Sequence, residues 1–324
     1  MASAKVLCVL LNYRTPHMTL RAAEAALADL ASIGGELVIV DNASGDGSPE
    51  IFREAVSARG WDAGGRVRVI ASPVNGGFGA GNNIGMRAGM SDGSAPDYLY
   101  LLNSDAFPDP GSIAALRDHL EAHPDAGFAC SHIRGEDDAP HTTAFRFPSI
   151  AGEFEGAARL GVISRALAHA RVPLLDLDTT RAVDWSAGAS MMIRRAMIDA
   201  IGGFDERFFL YFEETDLCLR AARAGWSCWY VVQSRVVHIG SGSTGMKTAA
   251  RMPRYWYDSR RHYFIKNHGR AYAACALLAH LAGGVIHRAR CALPGARPQD
   301  PAHFLRDLIA HAATAYRPKS ETRP

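Results

Sequence analysis

No two of the six cysteines are spaced Cys-x-x-Cys. Cys8, Cys130, Cys218, Cys228, Cys275 and Cys291 are scattered, several of them in apolar strand-like runs. That excludes a thiolate metal centre of the usual spacing and argues against a disulfide scaffold. They read as small core residues in a reducing compartment. Long hydrophobic runs are lacking too. The most apolar late stretch, Ala271 to Ile286, is 16 residues long and contains His280, short of the ~20 residues that a spanning helix needs. No secretory leader pattern precedes the strand that opens at Lys5, so a cytoplasmic location is expected, at the inner face of the membrane if any surface of the chain binds lipid. Net charge is only +2 over 324 residues. A hydrophobic share of 48% with 21% charged residues is that of a globular protein.

The small net charge hides an asymmetry. Residues 251 to 297 hold nine Lys or Arg against one acid, Asp258, while the rest of the chain holds 26 basic and 32 acidic residues. Such a segment either suits an anionic partner or is an ordinary solvated face. Within it, Arg254, Tyr255, Trp256, Tyr257, Arg260, Arg261, Tyr263, Phe264 and Lys266 interleave basic and aromatic residues. Interleaving of that kind can stack on bases, but no nucleic-acid module accompanies it, so no nucleic acid is expected as a partner. An interfacial helix against an anionic membrane surface fits it better.

Strand-like runs organise the first half. Val6 to Leu11 is continuously apolar and ends at Asn12-Tyr13; Leu20 to Leu30 reads as a helix; Glu36 to Val40 is a second strand, closed by Asp41-Asn42-Ala43-Ser44-Gly45-Asp46-Gly47-Ser48. Strand, helix and strand within about 35 residues make a right-handed βαβ unit. An Asp in the closing loop either accepts a hydrogen bond from a ribose or base, or makes a plain Asx turn. Pro49 to Arg59 predicts a helix and Arg66 to Ala71 a strand. Next comes Asn75-Gly76-Gly77-Phe78-Gly79-Ala80-Gly81-Asn82-Asn83. Glycines at that density permit close backbone approach to a ligand, or form a flexible turn. They lack the dinucleotide-fingerprint spacing and come too late in the chain for it, which speaks against a nicotinamide dehydrogenase. A helix is expected from Asn82 to Met90.

Tyr98-Leu99-Tyr100-Leu101-Leu102-Asn103-Ser104-Asp105 is the organising stretch: a buried strand closed by a polar triplet. Ligand sites of open α/β sheets lie outside the carboxyl ends of strands. Asn103 and Asp105 are expected to face such a site, with Ser104 turned away by strand alternation. A carboxylate there can hold a hard cation, or merely start the following turn.

Further on, Pro110 to Ala122 predicts a helix, Gly127 to Ser131 a strand, Phe145 to Ser149 an irregular segment, and Glu153 to Ala170 one helix. Small residues around Gly188 leave room for a sugar, with Trp185 either a stacking platform or a core residue. The apolar C-terminal part of the run from Val183 to Ile193 predicts a strand, and Arg194 to Ile201 a helix. Phe208-Phe209-Leu210-Tyr211-Phe212-Glu213-Glu214-Thr215-Asp216 brings three acids to a helix start. The macrodipole favours acids at that place, and a carboxylate near aromatics can also serve as a general base. Trp226 to Tyr230 and the run ending at Val236-Val237-His238 read as two separate strands. His238, before small residues, is either structural or a ligand. Ala302 to Ala312 predicts a short helix, with a loose tail after Arg317.

Taken in order, these stretches resemble glycosyltransferase family 2, enzymes of the GT-A fold, over about Val6 to Thr244. The motifs that carry the resemblance are Val40-Asp41-Asn42-Ala43-Ser44, Asn75-Gly76-Gly77-Phe78-Gly79, Leu102-Asn103-Ser104-Asp105, and Gly203-Phe204-Asp205 running on through Phe212-Glu213-Glu214-Thr215-Asp216. Within the family the chain looks most like the bacterial rhamnosyltransferases of surface polysaccharide synthesis.

The resemblance implies an α/β fold: a GT-A-type, Rossmann-like mixed sheet flanked by helices over residues 1–245, with a basic, aromatic-rich helical extension over 246–324. It implies an inverting enzyme that moves a sugar, rhamnose from dTDP-rhamnose, from a nucleoside diphosphate donor to a glycan or polyprenyl-linked acceptor. Asn12, Tyr13, Asp41, Asn42, Ser44, Asn75, Gly76, Gly77, Phe78, Asn82, Asn103 and Ser104 would bind the nucleotide. Asn103-Ser104-Asp105 stands where the family has Asp-x-Asp, so Asp105 would be the main carboxylate ligand of Mg²⁺ or Mn²⁺, completed by His238. Glu214 would be the catalytic base, one methylene longer than the Asp of many relatives, which keeps Asp216 as the alternative. Trp185, Gly188, Glu213 and Asp216 would line the acceptor site. The alternatives are a hexosyltransferase using a UDP-sugar and a non-catalytic sugar-nucleotide or glycan-binding relative. A nucleotidyltransferase would show a Gly-rich basic loop after the first strand, and Asn12-Tyr13-Arg14-Thr15-Pro16 is not one.

Overall fold

The computed structural model describes residues 4–175, 177–240, 250–293 and 300–314. The small residues Ser241 to Ser243 that follow His238 and the tail after 314 lie outside them. In chain order the elements begin β1 (Val6–Asn12), α1 (Pro16–Leu30), β2 (Glu36–Asp41), α2 (Ser48–Ala58), β3 (Val67–Ala71) and α3 (Phe78–Arg87). They continue β4 (Tyr98–Asn103), β5 (Ala106–Pro108), α4 (Ser112–Ala122), β6 (Ala126–Arg134), β7 (Ala144–Phe145), α5 (Ile150–Ala158) and α6 (Gly161–Ala166). Then come β8 (Arg181–Val183), β9 (Trp185–Ser186), β10 (Ser190–Arg194), α7 (Arg195–Ile201), α8 (Glu213–Arg223) and β11 (Ser227–His238). Three helices close the described chain: α9 (Arg254–His268), α10 (Arg270–Cys291) and α11 (Phe304–Thr314).

The chain divides into two compact units. One comprises residues 1–147 and 173–244; the other comprises 148–172 and 245–324. The first unit is built on a mixed sheet ordered β3-β2-β1-β4-β10-β6-β11-β5, with β8 pairing to β11. β1, β2, β3 and β4 run parallel, while β10 is antiparallel to both of its neighbours, β4 and β6. β11 lies parallel to β6. The carboxyl ends of β1, β2, β4, β6 and β11 therefore share one edge of the sheet with the amino end of β10.

Strand alternation divides the core. Val6, Cys8, Leu10, Tyr98, Tyr100 and Leu102 pack on one face with α1, α2 and α4 residues. Leu7, Val9, Leu11, Leu99 and Leu101 pack on the other, with Met86, Met197, Leu217 and Ala221. Every residue of β1 is buried, which is why it reads as an unbroken apolar run rather than an alternating one.

Three expectations are corrected. The helix placed at Asn82 begins at Phe78, so most of the Gly-rich run is helical. A Cβ on Gly79, Gly81 or Gly85 would collide with Phe204, Leu11 or Val9 respectively; Gly81 and Gly85 let α3 sit close on β1, and Gly79 lets it pack against Phe204. The two strands expected around 226–238 are one, bent by a register shift between Val231 and Arg235. The helix expected over 153–170 is broken into α5, α6 and a short 3₁₀ turn.

In the second unit, the Glu153 carboxylate of α5 accepts from Arg260 of α9 at 2.6 Å and from His280 of α10 at 2.7 Å. Gly283 brings α10 against the α5 backbone, since a Cβ there would lie 2.5 Å from the Phe154 carbonyl. Ala271, Ala274, Cys275, Leu278, Ala282, Val285 and Ala289 form an exposed stripe along α10 at helical spacing, with Arg270 and Arg288 exposed at its two ends. No described helix is long and apolar enough to cross a membrane.

Candidate active site

The site lies along the shared sheet edge. β4 delivers Asn103, whose amide donates to Ala189 O at 3.0 Å. Alternation then separates the next two residues. Ser104 Oγ turns to Thr15 Oγ1, 3.0 Å away, while Asp105 Oδ1 lies 3.0 Å from His238 Nε2. The 133-residue gap between them is closed by a strand pairing that places His238 opposite Ala106, reinforced by the Ile239 amide on Asp105 O at 3.1 Å. The carboxylate side chain is 8% and the imidazole 19% exposed, so the pair is sheltered and still open on one side. Among the described residues no group of three or more His, Cys, Asp or Glu converges as a metal site. The donors present are one carboxylate oxygen and one imidazole nitrogen, a set that fits an ion completed by ligand oxygens.

One residue beyond Ala189, the Gly188 amide donates to Glu214 Oε1 at 3.1 Å. Gly188 has no spare space: a Cβ would lie 2.9 Å from the Phe78 ring and 3.0 Å from Glu214 Oε1. Glu214 is partly exposed. Burial pushes its carboxyl above the usual range, against the pull of the amides of Glu214 and Gly188. Glu213 is different. It is 1% exposed, and its carboxyl is pushed well up, first by burial and then by Glu214. Its Oε2 has no hydrogen-bond partner among the described residues. Both acids open α8, which follows two consecutive left-handed residues, Tyr211 (φ 71°) and Phe212 (φ 69°). Carboxylates at that terminus are favoured by the helix dipole.

The nucleotide-side residues separate into an inner and an outer set. Asp41 is 2% exposed; its Oδ1 accepts from Asn12 Nδ2 at 2.7 Å and from the Ser44 hydroxyl, and its Oδ2 from the Ser44 amide at 3.0 Å. Asn12 Oδ1 accepts from Thr19 at 2.7 Å and Thr15 at 3.2 Å. Asn42 Nδ2 donates to Asn75 Oδ1 and to Gly77 O, each at 3.0 Å. Asn12, Asp41, Asn42, Ser44, Asn82 and Ser104 are all buried; they brace the loops. Tyr13, Asn75, Gly76, Phe78 and Asn103 are half-buried and form the outer set.

Gly77 (φ +88°) ties this loop to the approach of α8: the Phe78 amide donates to Phe209 O at 3.0 Å, and a Cβ on Gly77 would sit 1.8 Å from that oxygen. Nothing in the spacing of Gly77 and Phe209 signals their contact.

On the acceptor side two expectations are corrected. Asp216 is fully buried and pairs with Arg220 at 2.9 Å, while Arg220 reaches Ile201 O at 2.8 Å and Gly203 O at 2.6 Å. It locks α8 to the loop after α7 and is out of an acceptor's reach, and the burial of Glu213 does the same for that residue. Trp185 stacks on Phe145 at 4.3 Å, and its indole N–H donates to Arg146 O at 2.9 Å, so one ring face is occupied by packing. Sequence reasoning missed Thr15, and it placed Asn83 in the nucleotide-side loop without its contact to Phe204, whose amide and carbonyl Asn83 grips at 3.0 and 2.9 Å.

Residues 11–172 match the family model described as Glycosyl transferase family 2, and residues 98–294 match that of Glycosyl transferase family group 2. The chain belongs to glycosyl transferase family 2. Over 252 residues it is 31% identical to an N-acetylglucosaminyl-diphospho-decaprenol L-rhamnosyltransferase of Mycobacterium tuberculosis, covering 73% of this chain and 76% of the relative. Rhamnosyltransferase WbbL of Escherichia coli is 28% identical over 165 residues, which cover 50% of this chain and 60% of WbbL. Among solved structures, mannosyltransferase PcManGT from Pyrobaculum calidifontis in complex with GDP-Man and Mn²⁺ aligns with a TM-score of 0.57 at 14% identity, over 97% of this chain and 81% of its own. GalNAc-T7 with UDP, GalNAc and Mn²⁺ aligns at 0.58 and 14%, over 95% and 54%. At those identities the likeness establishes the GT-A-type fold.

Proposed function

We propose that the protein is an inverting glycosyltransferase that moves a sugar, L-rhamnose from dTDP-rhamnose, to a glycan or polyprenyl-linked acceptor in surface polysaccharide synthesis. The observation that carries the reading is Glu214: a partly exposed carboxyl of raised pKa, fixed by the Gly188 amide, one residue away from the strand junction that leads to Asp105 and His238. In this reading Glu214 accepts the proton of an acceptor hydroxyl as that oxygen attacks the anomeric carbon opposite the leaving diphosphate. One displacement inverts the anomeric centre, so no nucleophilic Ser or Cys is required. Tyr13, Asn75, Phe78 and Asn103 flank the donor nucleotide, and the buried Asp41 set holds their loops in place. Asp105 and His238 would hold a divalent cation, which when bound stabilises the negative charge of the diphosphate. The rhamnosyl specificity is supported by the names of the two relatives.

A panel of nucleoside diphosphate sugars, with and without Mn²⁺, tests this by release of nucleoside diphosphate in the presence of acceptor. Glu214→Gln should keep donor binding and lose about 10²–10⁴-fold in transfer, the range for a general base. Full transfer by Glu214→Gln would remove Glu214 from the role, and transfer unaffected by chelation would remove the cation from Asp105 and His238.

The second unit supports an anionic membrane surface as partner. Leu278 and Val285 of α10 are 64% and 62% exposed, on a stripe ended by arginines, the pattern of a helix lying in an interface. Co-sedimentation with anionic vesicles, weakened by salt, is the expected result; no binding at low salt would overturn it.

A further inference from the structure

β11 carries an insertion that β6 does not match. Val231 pairs with Ser131, and Arg235 pairs with the next residue, His132, so Val232, Gln233 and Ser234 have no counterpart on β6. The count matters because the faces of a strand alternate. Val231 and Val236 are five apart, which in an unbroken strand would turn them to opposite faces, yet both pack in the same half of the core. The extra residues restore the parity. They also shorten the reach. At ~3.3 Å per residue, an unbroken β11 would carry His238 about 10 Å past Ala106, its strand partner, and turn the imidazole to the other face of the sheet. The approach of His238 to Asp105 therefore depends on the insertion being held.

A line of buried hydroxyls holds it. Of the three inserted residues, Ser234 alone is buried. Its Oγ lies 2.7 Å from Ser131 Oγ of β6, which lies 2.6 Å from Ser190 Oγ of β10, which lies 2.8 Å from the Tyr100 hydroxyl of β4. All four residues are 1% exposed or less. β4, β10, β6 and β11 are successive neighbours in the sheet, so the line ties the inserted serine to the strand that leads into Asp105. A buried hydroxyl is costly without a partner, and a fully linked set specifies one arrangement. The solvent side of the insertion is braced separately: Thr180 Oγ1 accepts the Val232 amide at 3.1 Å and donates to Gln233 Oε1 at 2.6 Å. Beyond it, Ser112 Oγ accepts the Arg235 amide at 3.1 Å. The segment that ends in His238 is thus held by β5 and Ser112 on one side, and by Ser131 and Ser234 on the other.

We propose that Ser131 and Ser234 are positioning residues for the cation site: their hydrogen bond keeps the insertion in β11 and so keeps His238 against Asp105. The inference rests on Asp105 and His238 being the protein's ligands to a divalent ion. Loss of a group that orients a metal ligand costs about 10–100-fold in affinity. The serines act through the strand and not on the imidazole itself, so the lower end of that range applies.

The test is Mn²⁺ binding to the full chain, followed by electron paramagnetic resonance in the presence of dTDP or UDP. Ser131→Ala and Ser234→Ala break the same bond from its two ends. Each should weaken Mn²⁺ binding about 10-fold and diminish the nitrogen modulation that the His238 imidazole gives the bound ion. Tyr100→Phe is the control. It removes a hydroxyl from the far end of the line but leaves Ser190, Ser131 and Ser234 linked, so it should lower Tm by a similar amount and keep wild-type affinity and modulation. Wild-type affinity in both serine variants, or a loss in Tyr100→Phe that matches theirs, would overturn the positioning role. His238→Ala separates the two readings. If it weakens Mn²⁺ while the serine variants bind as wild type does, the cation site stands and the positioning role falls. No Mn²⁺ bound by wild type, or binding indifferent to His238→Ala, would sink the cation site and the inference with it.

Discussion

Replacing Gly77 with alanine tests whether the nucleotide-side loop and the acidic helix are one mechanical unit. Gly77 has φ +88°, and the new Cβ would come 1.8 Å from Phe209 O, the oxygen that accepts the Phe78 amide at 3.0 Å. Two costs separate cleanly. With ψ −173°, the Gly77 backbone lies in a region essentially restricted to glycine, which alone costs an L-residue about 1–3 kcal/mol. The carbonyl cannot yield as a flexible side chain would; relieving the contact breaks the Phe78–Phe209 hydrogen bond, worth about 1 kcal/mol net, and displaces the segment leading into Tyr211 and Phe212. The total expected is about 2–4 kcal/mol. Gly47→Ala is the control: φ +81°, but nothing within 4 Å of the new Cβ, so only the backbone cost of about 1–2 kcal/mol applies. Urea denaturation monitored by tryptophan fluorescence should place Gly77→Ala well below Gly47→Ala in midpoint, with unchanged slope. Donor affinity should fall in Gly77→Ala alone. Equal midpoints for the two variants would refute the reasoning, because they would mean that the Phe209 carbonyl moves freely and does not couple the loop to α8.

Gly188→Ala should leave the fold within about 1–3 kcal/mol of wild type, the usual range for overpacking, while pushing Glu214 or Phe78 by a few tenths of an ångström. Displacement of the base on that scale is expected to lower kcat about 10-fold with little change in donor affinity; an unchanged kcat would show that Gly188 does not orient Glu214. The raised pKa of Glu213 has a stability consequence. A group whose folded pKa lies above its unfolded value stabilises fully below the unfolded pKa and loses that contribution as pH rises through the folded one. Wild type should therefore lose stability above pH 4.5, at about 1.4 kcal/mol per pH unit until the folded pKa is passed. Glu213→Gln should flatten that part of the profile and be more stable near neutral pH; a profile identical to wild type would mean that Glu213 is not held protonated.

The elements that sequence made legible are those whose burial is written in local pattern. β1 and β4 are continuous apolar runs because both faces of the sheet are covered, and the polar triplet after Leu102 marks where cover stops. The Gly-rich run shows the limit. From sequence its glycines look like ligand approach, and in the fold Gly79, Gly81 and Gly85 are helix positions where Phe204, Leu11 and Val9 leave no room for a Cβ. Both uses remove the side chain for the same steric reason, so composition cannot separate them. The acids show a second limit. Glu213, Glu214 and Asp216 sit within one helical turn, yet Gly188 meets only Glu214, Arg220 takes Asp216, and Glu213 is sealed. Those partners lie on other strands and loops, and helical spacing says which acids share a face, not what faces them. Asp105 and His238 are the converse. They come together because β5 turns back after Asp105 to pair with the end of β11. The three residues of β5 are too short to register as a strand in the sequence, and yet they decide that a carboxylate and an imidazole 133 positions apart are 3.0 Å from one another.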